Sequence, residues 1–164
     1  MLSALLSNRI AIARTQGKRM MHSAPDRDEI IAVVNRIGLM ADRRDWQACR
    51  EAFSDRVETD YTSLNGGQPA IVNADDLVSG WHTFFTNTFK TTQHLIGSHV
   101  VTITGDTAIC LSNFQAHHVY LDAQKGTWIL GGFYEHALVR SPQSWRVNRM
   151  KMTRIWEQGT RPSA

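Results

Sequence analysis

Two side chains far apart in this sequence could together carry out acid–base chemistry. His94 lies in the stretch "TTQHLIGSH" (91–99), whose residues are typical of a β-strand, and an imidazole exchanges protons near neutral pH. Asp42 continues the apolar stripe of the first predicted helix, so we expect it to face inward. A carboxylate on His94 Nδ1 would leave Nε2 as the free base. The alternatives are a hydrogen-bonded core histidine and a solvated acid, although a carboxylate at a helix C-terminus opposes the helix dipole.

A second candidate comes from the adjacent histidines at 117 and 118. Neighbouring residues of a strand point to opposite faces, so only one of the two lines a given cavity. His118 shares its face with Phe114, Ala116 and Tyr120. We predict that His118, and not His117, faces the pocket and assists catalysis.

The remaining histidines are interpreted as structural or surface residues. In a regular strand, His99 lies on the face opposite His94, and a bulge at Gly97 would reverse that. His82 and His136 carry no catalytic prediction.

The sequence gives no indication of a metal or a cofactor. His94, His117 and His118 lack the short convergent spacing of zinc sites. Cys49 and Cys110 match no metal or redox spacing and are interpreted as reduced core residues. No G-x-S-x-G motif for a nucleophilic serine is present. We therefore predict cofactor-independent chemistry.

The charge distribution argues against nucleic acid as a partner. The chain of 164 residues has a net charge of +3, but residues 1–25 hold four basic residues and no acidic one. The remainder has 14 basic and 15 acidic side chains and no basic stripe. No apolar run is long enough to cross a bilayer, so a membrane is not a predicted partner.

Residues 1–25 form a basic, acid-free extension resembling an organelle transit peptide. The alternatives are a disordered tail and an extension upstream of a shorter protein that starts at Met20 or Met21. We assign a single domain to 26–160. A cytoplasmic location is predicted, or a mitochondrial one if 1–25 is a transit peptide.

The domain reads as helices followed by long strands. The predicted elements are a helix from Asp26, a second helix from Asp45, a strand over 56–64, a loop over 65–69, a helix over 73–89 and four hairpin-linked strands from about 92 to 157. This order is α+β, with three helices of the N-terminal half covering one curved antiparallel sheet. Such a cone can hold a small molecule, and aromatic side chains are expected to line it: Trp81, Phe85, Phe114 and Tyr134.

Several short motifs strengthen this interpretation because they resemble a known family. They are "ADRRDW" (41–46), "DY" (60–61), "TQHLIG" (92–97), "GDTA" (105–108), "HH" (117–118) and "GGFYEHALVR" before "SWRV" (131–147). Together they resemble the SnoaL-like branch of the nuclear transport factor 2-like superfamily, with its cystatin-like α+β barrel. The pattern is most similar to scytalone dehydratase-type enzymes, and also to bile-acid dehydratases and hexachlorocyclohexane dehydrochlorinase.

The resemblance implies roles for particular residues. It makes Asp42 and His94 a catalytic dyad, His118 a second pocket histidine and Tyr61 a substrate-binding tyrosine. The sequence departs from scytalone dehydratase at Ala41, where that enzyme has a tyrosine, and at Tyr134, where it has an asparagine. Scytalone is therefore not the expected substrate.

These observations predict a dehydratase-type lyase that acts on a small, largely apolar, cyclic or aromatic hydroxylated substrate. An isomerase or cyclase using the same dyad, and a non-catalytic ligand-binding or protein-association module of the same fold, are the alternatives. Relatives associate through their sheets, so a homodimer or homotrimer is expected. The alternation of Val147, Met150, Met152 and Ile155 with basic residues is interpreted as that sheet face.

Overall fold

The structure is a computed structural model that describes residues 24–162. The helices are α1 (Ala24–Arg43), α2 (Trp46–Arg50), α3 (Thr62–Asn65) and α4 (Ala74–Thr88), with a 3₁₀ turn at Ala123–Lys125. The strands are β1 (Phe53–Asp60), β2 (Ala70–Asn73), β3 (Phe89–Thr104), β4 (Thr107–Tyr120), β5 (Thr127–Arg140) and β6 (Trp145–Gly159). The predicted α+β class, a curved sheet with helices from the N-terminal half, is confirmed.

The strands form one six-stranded sheet in the order β2-β1-β6-β5-β4-β3. The four long strands are antiparallel neighbours in sequence order, as hairpins require. One pair differs from the predicted antiparallel pattern, because β1 runs parallel to β6. Helix α3, strand β2 and helix α4 connect β1 to β3 at the far edge of the sheet. The helices cover one face of the sheet.

The region between α2 and α4 also differs from the prediction. The first strand begins at Phe53 instead of 56 and ends at Asp60. Asp60 Oδ1 accepts hydrogen bonds from the backbone N–H of Thr62 at 3.0 Å and from its hydroxyl at 2.7 Å. This local bonding starts the short helix α3 where a strand was expected. The short strand β2, which pairs with β1, was not predicted.

Helix α1 packs across the inner face of β3. Its buried residues recur at helical spacing and include Ile30, Val33, Val34, Ile37 and Ala41. They join Trp145, Phe53 and Leu138 in the main core cluster. This packing places the C-terminal turn of α1 beside the first half of β3.

A bulge in β3 changes which side chains face inward. The pairing with β4 shifts between Gly97 and Val100, and Ser98 has a φ of 57°. Leu95 and Val100 are both largely exposed, at 59% and 60%, although residues five positions apart point to opposite faces of a regular strand. His99 therefore shares the inward face with His94, which is the outcome expected if a bulge occurred.

The outer face of the sheet is partly apolar. Exposed residues on it include Leu95, Val100, Leu111 and Phe133. The prediction of which residues form the outer face was wrong in part. Val147, Met150 and Met152 are buried on the inner side, and of the four predicted residues only Ile155 is exposed. A homodimer or homotrimer through the sheet stays a prediction.

The predicted N-terminal extension lies almost wholly outside the described residues, although Ala24 and Pro25 already belong to α1. Within residues 24–162, none of the helices has the length and apolar character that crossing a membrane requires.

Candidate active site

The end of α1 fixes the position of Asp42. The N–H of Asp45 donates to the carbonyl of Met40 at 2.9 Å, and the N–H of Arg44 donates to that of Ala41 at 3.1 Å. These two bonds define a Schellman ending, in which the residue after the helix adopts the left-handed conformation. Here that residue is Arg44, with a φ of 61°. Asp42 thus lies in a rigid last turn.

The Asp42 carboxylate contacts β3 through three hydrogen bonds. Its Oδ1 lies 2.7 Å from His94 Nδ1 and accepts from the Thr92 hydroxyl at 2.8 Å. Its Oδ2 accepts from the backbone N–H of His94 at 2.6 Å. Because a carboxylate only accepts, Nδ1 carries the proton and Nε2 of the neutral ring is a free acceptor. The two side chains are 13% and 11% exposed, so the pair is shielded but reachable.

This environment favours the ionised form of Asp42. Burial alone would raise its pKa, but the hydrogen bonds and charge of His94 and the bond from Thr92 outweigh burial and lower the pKa below its ordinary value of 3.8. Asp42 is therefore a carboxylate at neutral pH and can stabilise a positive charge on the His94 ring.

Arg44 stabilises the dyad through Thr92. Its guanidinium donates to the Thr92 hydroxyl at 2.9 Å and to the Ala41 carbonyl at 2.8 Å. Since Thr92 accepts from Arg44, its own hydroxyl proton is directed at Asp42. The guanidinium also lies 5.3 Å from the centre of the Phe85 ring, within cation–π range.

A cavity of about 720 Å³ opens beside the dyad. Its volume lies within the range of small-molecule sites. The predicted residues that line it are Tyr61, Trp81, Phe85, His94, His118 and Tyr134. Other lining side chains are mostly apolar, including Ile37, Ile96, Leu130 and Met152.

Phe114, predicted to bind substrate, does not line this cavity within the described residues. It faces inward and is 4% exposed. The ring of Tyr134, which does line the cavity, stacks on it with centroids 4.2 Å apart. Phe114 is therefore a core residue that packs against Tyr134, and it is not part of the cavity wall.

His118 is brought to the same cavity as His94, while His117 is exposed on the other face. The rings of His118 and His94 are 5.5 Å apart, and His118 Nδ1 lies 3.1 Å from the Trp128 carbonyl. Because a carbonyl only accepts, His118 presents a bare Nε2 when neutral. Burial, and secondarily the neighbouring His94, lower the pKa of His118 to about 4, so it is neutral at pH 7.

Two phenols face the cavity from other elements. Burial raises the pKa of Tyr61 well above its ordinary value, with a further contribution from Tyr134. Burial, and secondarily Asp42, also raise the pKa of Tyr134. Both stay protonated and can donate hydrogen bonds. Within residues 24–162, the one hydrogen-bond partner of the Tyr61 hydroxyl is the Met150 sulfur at 3.9 Å, a weak acceptor that a substrate oxygen could replace.

Sequence reasoning missed two groups of cavity residues. His136, interpreted as structural or surface, lines the cavity and is 1% exposed. Its position two residues after Tyr134 on the same strand was a usable signal, because such residues share a face. Leu64, Asn65 and Arg161 also line the cavity, and they were missed because α3 and the C-terminal segment were not predicted to meet.

The side chains described here do not gather into a metal-binding set. Within residues 24–162, no group of three or more His, Cys, Asp or Glu side chains is arranged to hold a metal ion. The chemistry available to these residues is proton transfer by imidazoles, charge stabilisation by Asp42 and hydrogen bonding by phenols.

The fold and this cavity define a class: an α+β cone of the nuclear transport factor 2-like type with a histidine-bearing pocket. The family model of the SnoaL-like domain matches residues 22–151. The protein belongs to the SnoaL-like domain family, as the sequence motifs predicted. Among curated proteins, none matches this sequence.

Solved structures similar to this chain include three that bear on the site. The Kfla4162 protein from Kribbella flavida is 29% identical, with a TM-score of 0.77, over 82% of this chain and 93% of that one. A protein from Novosphingobium aromaticivorans named "putative scytalone dehydratase" is 17% identical, with a TM-score of 0.74, over 85% and 91%. A hexachlorocyclohexane dehydrochlorinase, LinA type 2, is 12% identical, with a TM-score of 0.65, over 85% and 94%. The latter two likenesses show the fold.

Proposed function

We propose that this protein is a cofactor-independent lyase of the dehydratase type, in which the Asp42–His94 pair acts as general base. The contact of 2.7 Å between Asp42 Oδ1 and His94 Nδ1, at the wall of an apolar cavity, carries the proposal. Family membership supports the processing of a small molecule. Two similarly folded proteins bear names that denote eliminations, of water and of hydrogen chloride.

The first step is removal of a proton from a carbon next to an electron-withdrawing group such as a carbonyl. His94 Nε2 takes the proton, and the electron pair of the C–H bond moves toward the carbonyl oxygen. Asp42 stabilises the resulting imidazolium, and a phenol of Tyr61 or Tyr134 donates to the oxygen on which negative charge develops.

The second step is departure of a hydroxyl from the neighbouring carbon. The C–O bond breaks as the electron pair forms the new C=C bond, and the proton held on His94 passes to the leaving oxygen, giving water. His118 is neutral with its Nε2 bare, so it is suited to accept a hydrogen bond from the hydroxyl and hold it in place, not to protonate it. One imidazole thus serves as base and then as acid.

The wall of the cavity selects the kind of substrate. Its aromatic lining includes Trp81, Phe85, Trp128 and Tyr134. Flat, rigid and mostly apolar molecules bury their surface efficiently against such rings. A cyclic ketone with a hydroxyl on the second carbon from the carbonyl, alone or fused to an aromatic ring, has both the flat apolar shape and the groups that the two steps require.

An isomerase is the second candidate, and the pair of histidines favours it. His118 offers a second bare nitrogen, with its ring centre 5.5 Å from that of His94. A proton removed at one carbon and returned at another would shift a double bond without loss of water. The product decides between the two reactions, because only the lyase lowers the mass by one water.

The test is a screen of hydroxylated cyclic ketones, with and without a fused aromatic ring, with product analysis by mass spectrometry. The wild-type protein and a His117→Ala variant, whose changed residue lies on the outer face, should form the same product at similar rates. His94→Ala should lose activity while its circular dichroism spectrum is unchanged. Turnover by His94→Ala within about tenfold of wild type would exclude His94 as the base, since a general base contributes roughly 10²–10⁴-fold. Tight binding without turnover across the screen would favour the non-catalytic alternative.

A further inference from the structure

His136 is a polar group on the cavity wall that the proposed reaction does not use. It lies on β5, is 1% exposed, and its Nδ1 has no hydrogen-bond partner within residues 24–162. Burying a polar atom without a partner costs free energy, so such atoms in native proteins call for an explanation. The ring lines the cavity beside Tyr134, with their centroids 5.4 Å apart.

Two further polar atoms without a hydrogen-bond partner within residues 24–162 lie near His136, one on the neighbouring strand β4 and one on β3, the strand beyond it. Cys110, opposite His136 on β4, is two residues from Ser112, whose hydroxyl oxygen is buried and unpartnered. On β3, the bulge turns His99 inward beside them, and its Nε2 is also buried and unpartnered. We call His99, Ser112 and His136 the inner polar cluster.

The inner polar cluster is far from the dyad along the sheet. His94 pairs with Ala116, which pairs with Leu130 on β5. His136 follows six residues later on β5, which is about 20 Å along an extended strand at roughly 3.3 Å per residue. Curvature of the sheet makes this an upper limit. His94 and His136 both line the cavity, whereas His99 and Ser112 are not among its lining residues within 24–162.

The inner polar cluster carries no charge of its own at neutral pH. Burial, and secondarily His99, lower the pKa of His136 to about 3. Burial, and secondarily the Arg27 cation, also lower the pKa of His99. Arg27 is itself exposed on α1 and paired with Asp28. A carboxylate of a ligand would lack a buried counter-charge here. A neutral imidazole has one donor and one acceptor nitrogen, which matches a hydroxyl.

We propose that the cavity is a two-ended site in which His136 binds a hydroxyl group at the end of the substrate opposite the reacting carbon. The substrate class is then a rigid, mostly apolar scaffold with neutral polar groups at both ends. The orientation of the reacting end rests on the proposed function, whereas binding at His136 does not require catalysis.

Matched pairs of rigid rods test this proposal without knowledge of the substrate. They are biphenyl-4,4′-diol with biphenyl-4-ol, and p-terphenyl-4,4″-diol with p-terphenyl-4-ol. Isothermal titration calorimetry should show that wild type prefers the diol of one pair by about fivefold, the size of one added hydrogen bond. His136→Leu should reverse that preference, favouring the mono-ol by about tenfold, because a hydroxyl would be buried against an apolar side chain. His136→Gln, which keeps a donor and an acceptor, should retain the preference for the diol.

Stability and background controls separate the possible outcomes. His136→Leu should melt at the same temperature as wild type or higher, since it removes an unpartnered buried polar atom. A lower melting temperature together with an unchanged diol preference would overturn the proposal and assign His136 a structural role. Failure of both diols to bind better than their mono-ols to wild type would also overturn it. In a His94→Ala background, a mono-ol is expected to place its one hydroxyl at His136, so there His136→Leu should weaken mono-ol binding about tenfold. This readout does not depend on catalysis, so binding at His136 and the proposed reaction can fail independently.

Discussion

Gly38 is the residue whose substitution tests the packing of α1 on the dyad most sharply. It is buried in α1, one turn before Asp42. A β-carbon added there would lie 3.0 Å from His94 Cβ and 3.1 Å from Ile96 Cδ1. The His94 atom cannot move away easily, because the Asp42 carboxylate holds the backbone N–H and the ring of the same residue. Gly38→Ala must therefore push α1 and β3 apart by a few tenths of an ångström.

The expected magnitude follows from two opposing effects. Replacing glycine by alanine within a helix stabilises by about 1 kcal/mol. Overpacking a core typically costs about 1–3 kcal/mol. We expect a net loss of roughly 1 kcal/mol for Gly38→Ala. Gly80→Ala is the matched control, since its added β-carbon in α4 meets nothing within 4 Å. Gly80→Ala should be more stable than wild type by most of the ~1 kcal/mol that alanine contributes in a helix. The free energies of unfolding of the two variants should therefore differ by about 2 kcal/mol.

Urea unfolding at pH 7 measures this difference directly. The backbone N–H of His94, bonded to Asp42 at 2.6 Å, supplies a local probe by NMR. Its proton resonance should move upfield in Gly38→Ala, as the bond lengthens, and stay in place in Gly80→Ala. Equal stabilisation of both variants with an unmoved His94 resonance would show that α1 does not press on β3 at the dyad, and the positional reasoning would be refuted.

Three further predictions concern the site itself. Asp42→Asn should lower kcat/KM for an identified substrate by roughly 10³–10⁴-fold, because the amide allows the wrong His94 tautomer; a loss under tenfold would contradict that role. Thr92→Val should lower kcat/KM by about tenfold through loss of one hydrogen bond to the carboxylate, while Thr91→Val, at an exposed position on the other face, should not. His118 has a pKa of about 4 in the folded protein against an ordinary 6.5, so the unfolded chain binds the proton first as pH falls. The free energy of unfolding should therefore decrease between pH 6.5 and 4, by up to about 3 kcal/mol from this group, and His118→Gln should flatten the profile; parallel profiles would contradict the assignment.

The parts of the fold that could be predicted were those with strong periodicity. The apolar stripe from Ile30 to Ala41 and the turn residues between the long strands were sufficient for α1 and for β3 to β6. The region from Asp60 to Asn73 was not predictable in the same way. There a side-chain bond from Asp60 to Thr62 starts α3, and β2 depends on pairing with β1, which no local pattern encodes.

The candidate site shows the same division. Helix and strand alternation predicted the faces of Asp42, His94 and His118, and the resemblance of the "TQHLIG" and "ADRRDW" motifs to the family was needed to pair Asp42 with His94. The partners that hold them could not, because Arg44 reaches Thr92 only through its left-handed backbone after α1. His136 was overlooked because a buried imidazole whose Nδ1 has no partner within residues 24–162 has no sequence signature apart from its face.

The measurement that tests the central claim most directly is the tautomer of His94. Two-bond ¹H–¹⁵N NMR at pH 9, where histidine imidazoles are neutral, distinguishes a protonated ring nitrogen from a bare one, and the His94→Gln spectrum assigns the signals. The contact with Asp42 predicts a protonated Nδ1 and a bare Nε2, inverted or mixed in Asp42→Asn. A protonated Nε2 in the wild-type protein would leave the cavity without its base and contradict the proposed chemistry.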